Sequence, residues 1–82
     1  MPKYRKKPIV VDAVQFTDPE HLPEGVYLDP DLVYGVSWLI ETLEGTMRVN
    51  LKDWIITGVT GEKYACKPEI FNQTYERTWS TT

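Results

Sequence analysis

Val36-Ser37-Trp38-Leu39-Ile40-Glu41-Thr42-Leu43, followed by Glu44-Gly45 and then Thr46-Met47-Arg48-Val49, is the stretch that decides the fold. In an extended chain Val36, Trp38, Ile40 and Thr42 share one face, and Ser37, Leu39, Glu41 and Leu43 share the other. Glu44-Gly45 supplies a two-residue turn with a glycine to take a positive φ. The pattern is a β-hairpin.

Reading C-terminally from it, Asn50-Leu51-Lys52-Asp53 is a second turn, with Asn and Asp able to bond their own backbone. Trp54-Ile55-Ile56-Thr57-Gly58-Val59 reads as a strand, Thr60-Gly61 turns it, and Glu62-Lys63-Tyr64-Ala65-Cys66 returns. Lys67-Pro68-Glu69 predicts the entry to one short helix near residues 68–73, with proline preset for the first turn and Glu69 at the positive end of the dipole. Ile70 and Phe71 are expected to plug one end of the sheet, and Thr74-Tyr75-Glu76-Arg77-Thr78-Trp79 to add a last strand before a fraying Ser80-Thr81-Thr82.

Reading N-terminally, Ile9-Val10-Val11-Asp12-Ala13-Val14-Gln15-Phe16 predicts a strand apolar on both faces, hence a central one, with Pro8 tolerated at its start. Residues 17–35 form a proline-punctuated loop region. One helical turn fits Pro19 to Leu22, and Tyr27, Leu28, Leu32, Val33 and Tyr34 are placed over a sheet edge. The sum is a mainly β (α+β) domain over residues 1–82, a small antiparallel meander or partly closed roll of five or six strands with one short helix.

A domain of 82 residues buries only about 60% of the surface its unfolded chain exposes, so such chains often carry a staple. A single cysteine, Cys66, gives no intrachain disulfide, and Cys66 with the single His21 cannot furnish a tetrahedral zinc site. Self-association is the remaining common staple, and the exposed edges of a lone meander point the same way. A homo-oligomer is therefore expected.

Net charge is −3, which argues against duplex nucleic acid as a partner. Four of the nine basic residues sit in Lys3-Tyr4-Arg5-Lys6-Lys7, within a basic arm over residues 1–7. The rest holds five basic against twelve acidic residues, a net −7, and this polarity favours head-to-tail self-docking. No apolar run reaches the roughly 20 residues of a membrane span, and no secretory signal is evident. A cytoplasmic location and no membrane partner are expected.

Tyr4-Arg5-Lys6-Lys7-Pro8-Ile9-Val10 at the start, and Asp53-Trp54-Ile55-Ile56-Thr57-Gly58 through Lys67-Pro68-Glu69-Ile70-Phe71-Asn72-Gln73-Thr74-Tyr75-Glu76 at the end, resemble a family of short phage and prophage proteins (PGDYG-like). Their pattern is a "YRKKPV" opening, a variable middle and a "GDWI..G..GE.Y..KP.IF..TYE" close. The resemblance covers the first 16 residues and about half the chain at its end. It implies a phage or prophage origin and action in the host cytoplasm, without a settled activity. The family usually has glycine before the aspartate, whereas this chain has Lys52, which predicts a turn without a positive φ there.

For chemistry, Cys66 with His21 is the one conceivable nucleophile–base pair, and a small buried thiol and a surface loop histidine are the expected reading. Glu41 with Glu44, and Asp29 with Asp31, are expected to be solvated surface carboxylates. No phosphate-binding glycine loop occurs. The chain is therefore read as not an enzyme and as using no cofactor. Aromatics are the surplus, with three Trp, five Tyr and two Phe. Trp54, Tyr64 and Tyr75 fall on neighbouring predicted strands, and with Arg48, Lys67 and Arg77, or Lys52, they would make an aromatic floor with cationic walls. Such a cradle suits a small nucleotide-like ligand, and so a phage accessory protein sequestering a host-defence signal. The alternatives are an inhibitor or adaptor docking on a host protein, steered by the acidic body, and a minor structural or assembly component of the virion.

Overall fold

The computed structural model describes residues 1–4, 8–31 and 35–78. Among the described residues, six strands and one helix follow in order: β1 (Asp12–Gln15), β2 (Val26–Leu28), β3 (Trp38–Thr42), β4 (Gly45–Val49), β5 (Trp54–Thr57), β6 (Lys63–Cys66) and α1 (Pro68–Thr74). They form two antiparallel three-stranded sheets, ordered β1-β5-β6 and β2-β3-β4, with no closed barrel. The mainly β class with one short helix stands.

The central hairpin is β3–β4, with Trp38 opposite Val49 and Thr42 opposite Gly45. The turn residues are therefore Leu43-Glu44, one position earlier than the expected Glu44-Gly45. Gly45 opens β4 with φ +118, a conformation that a side chain strongly disfavours. In the 17–35 region, Tyr27 and Leu28 do not lie over a sheet edge; with Val26 they are an edge strand, Val26 opposite Ile40 and Leu28 opposite Trp38. Pro19 to Leu22 holds a turn in place of a helical one: Asp18 O accepts the His21 N–H, and Asp18 Oδ1 accepts the Glu20 N–H.

The first apolar run gives an edge strand and not a central one. β1 pairs with β5 alone, Val10 and Val14 are exposed, and β5 carries the central role with Ile55 and Ile56 both buried. Phe16, the last residue of that run, is fully buried, and its N–H donates to Asp53 O while its O accepts the Lys52 N–H. This clamps the second turn, and Lys52 takes φ +79. The expected turn without a positive φ is thus corrected: Asp53, buried, accepts the Asn50 N–H through Oδ2 and donates its own N–H to Asn50 O, and closure of this loop leaves Lys52 left-handed.

Val26, Ile40 and Val49 from one sheet meet Phe16, Ile55 and Ala65 from the other, with the Trp38 ring edge-on to Phe16 at 4.9 Å. Full burial of each large side chain contributes about 1.5–3 kcal/mol. Strand alternation puts Trp54, Ile56, Tyr64 and Cys66 on the opposite face of the first sheet, where α1 lies. Phe71 covers this face and does not plug the sheet end, while Ile70 points outward, half-exposed. No strand forms over residues 75–78. Tyr75 instead ends the helix, donating its N–H to Phe71 O, which takes that group from any strand partner, and its ring packs on Phe71. Arg5 to Lys7, Leu32 to Tyr34, Trp79 and the expected fraying end lie outside the described residues. Among the described residues, no helix is long and apolar enough to cross a membrane.

Candidate functional site

Trp54 on β5 and Tyr64 on β6 share a face because Ile56 is opposite Tyr64 and Trp54 opposite Cys66. The seven-residue helix that begins at Pro68 lays Phe71 flat on Trp54, centroids 4.1 Å apart, and Tyr75 stacks on Phe71 at 5.1 Å. The Tyr64 and Tyr75 hydroxyls hydrogen-bond at 2.8 Å. Burial, then this bond, pushes the Tyr64 phenol up to about 12. The three expected aromatics are brought together, and Phe71, which was read only as a plug, is the ring between them.

The expected cationic walls are spread out. Arg48 is opposite Leu39 in the other sheet, and Lys52 sits in the Asn50–Asp53 turn. Lys67 is the helix N-cap, and Arg77 follows the helix, already engaged in an interaction of its own. Cys66 Sγ faces the Lys67 carbonyl at 3.6 Å, and burial, with Asp53 and Glu69 nearby, pushes its thiol up. His21 Nδ1 pairs with Asp18 at 2.7 Å on an exposed loop. Each member of the conceivable catalytic pair thus has a local partner, and Cys66 is held as a thiol, the less nucleophilic form.

A groove opens where the β3–β4 turn stands beside the start of β6. Two adjoining hollows of about 450 and 430 Å³ share Thr42, Leu43, Glu62 and Lys63 as walls. Ile40, Met47, Tyr64 and Ala65 give it an apolar lining. Its rim is acidic, with Glu41, Glu44 and Glu62. The Glu41 carboxylate is fixed by neutral donors, Thr46 Oγ1 at 2.7 Å and Tyr27 Oη at 2.7 Å. Those hydrogen bonds, from Thr46 first, hold its carboxyl below the usual range, and the bond to Glu41 pushes the Tyr27 phenol up. Glu62 accepts from the Thr60 N–H and hydroxyl. Lys63, the cation in the wall, donates to Thr57 Oγ1 at 2.7 Å. Among the described residues neither Glu41 nor Glu62 has a lysine or arginine within ion-pair reach.

Of the six site residues expected from sequence, Tyr64 alone lines this groove. Glu41 and Thr46 were legible as a cross-strand pair once the turn is placed at Leu43-Glu44, whereas Tyr27 arrives through the β2–β3 pairing within the same sheet and Glu62 through packing of the two sheets. Comparison of the chain with protein-family models, with curated proteins and with solved structures finds no match.

Proposed function

We propose that this chain is a non-enzymatic accessory binding protein of phage or prophage origin that acts in the host cytoplasm by docking on a host protein. One observation carries the reading: Glu41 and Glu62 stand at the rim of an apolar groove, held by hydroxyl and amide donors, and among the described residues no lysine or arginine lies within ion-pair reach of either. Carboxylates oriented by neutral groups retain their charge for an incoming lysine or arginine. The partner surface is accordingly a basic segment with apolar residues between its charges. Fluorescence anisotropy with labelled Lys/Arg-rich peptides tests this. Binding is expected to weaken about tenfold in a Glu41→Gln/Glu62→Gln variant and at high salt. Equal binding of neutral and basic peptides would overturn the reading.

Sequestration of a small nucleotide-like signal, as a counter-defence measure, is the second reading. The grouping of Trp54, Tyr64 and Tyr75 on one sheet face favours it. Phe71 already occupies the stacking space on Trp54, so a base would stack only by displacing α1 or on the outer edge of the cluster. A thermal-shift panel of cyclic and ADP-ribose-type nucleotides separates the two readings, since a hit there that Glu41→Gln leaves unchanged favours the second.

A further inference from the structure

We infer that the groove receives the basic segment, residues 3–7, of a second copy of this chain, so that two copies exchange these segments and form a dimer. This rests on the groove being a receptor for a basic segment; it names the segment that fills the groove before a host protein docks by displacing it.

Charge selects the occupant. Residues 3–7 carry four of the nine basic residues, while the remainder of the chain is −7. The groove rim supplies Glu41, Glu44 and Glu62, and Tyr4 offers a ring among the four cations for the apolar lining. Tyr4 is 92% exposed, and Lys3, Ile9 and Val10 are exposed as well, so these described residues do not sit in the groove of their own chain. Topology then sets the approach. Asp12, the first residue of β1, is opposite Thr57, which is opposite Lys63 in the groove wall. The chain therefore enters the first sheet at the end where the groove opens, about 10 Å away across two strand spacings. A two-fold axis near that end lets each copy pass its segment to the other, an isologous and closed arrangement. The exchange also covers Val10 and Leu43, 73% and 84% exposed, for a chain whose own core is small.

Sedimentation velocity on the full chain tests the inference. Wild type is expected at twice the 9.5 kDa chain mass, with dissociation about tenfold easier at high salt. Replacing Lys3, Arg5, Lys6 and Lys7 by Glu changes charge outside the core and is expected to give monomers. Glu41→Lys/Glu62→Lys is expected to do the same, with circular dichroism reporting the fold. Mixing the two variants restores opposite charge at both contacts and is expected to yield a heterodimer. A monomeric wild type, or a dimer that survives both sets of changes, overturns the exchange. A monomeric wild type that still binds basic peptides at the groove overturns it while leaving the proposed function standing.

Discussion

The Trp54 indole and the Phe71 ring lie face to face, centroids 4.1 Å apart and planes 8° from parallel. That contact fastens α1, a helix of seven residues with no buried residue of its own, to the first sheet. A helix this short has no stability in isolation and depends on such packing.

Phe71→Ala is therefore expected to cost about 2 kcal/mol, less than a full core deletion because the ring is half-buried. Phe71→Leu is expected to cost about half as much. Urea unfolding followed by tryptophan emission measures both, and an unchanged midpoint in the alanine variant would show that α1 is not held by this stack.

The Tyr64 hydroxyl gives a pH signature. An ordinary tyrosine ionises at 10.0, and in the folded chain Tyr64 is pushed up to about 12, first by burial and then by the Tyr75 hydroxyl. Folding thus favours the neutral phenol. This contribution is fully present below pH 10 and is lost as the pH rises from 10 towards 12. Tyr64→Phe is expected to lower stability by about 0.5–1 kcal/mol at neutral pH through loss of one hydrogen bond, and to flatten the alkaline decline. Absorbance at 295 nm against pH, with unfolding at pH 8 and pH 11, checks both parts.

Lys52 is the one non-glycine residue with a positive φ among the described residues. A side chain there works against the backbone by roughly 1 kcal/mol, partly offset by the greater freedom of an unfolded glycine. Lys52→Gly is expected to raise stability by about 0.5 kcal/mol, and Lys52→Val to lower it by about 1 kcal/mol or more, because a branched Cβ tolerates this region least. Thermal melts of the three proteins at one pH give the order. If valine equals lysine, the turn has relaxed out of the left-handed conformation.

Local pattern and turn chemistry determined much of this protein. Alternation through residues 36–49, glycine near the first turn, and Lys67-Pro68-Glu69 were enough for the hairpin, the mainly β class and the position of α1, because each depends on contacts between neighbours in the chain. Tertiary structure decided the rest. Ile9 to Phe16 reads as central from its apolar residues, yet a strand's place in a sheet depends on which partner is buried on both faces, and here that is β5. Thr74 to Trp79 alternates like a strand, but Tyr75 is drawn into the Phe71 stack and the helix end. Lys52 takes a conformation its own chemistry disfavours because Phe16, far away in sequence, closes the turn. The groove is the clearest case. Glu41 and Glu62 are unremarkable surface carboxylates in a sequence, and they share a rim only because two sheets with different strand orders pack their hairpin ends side by side.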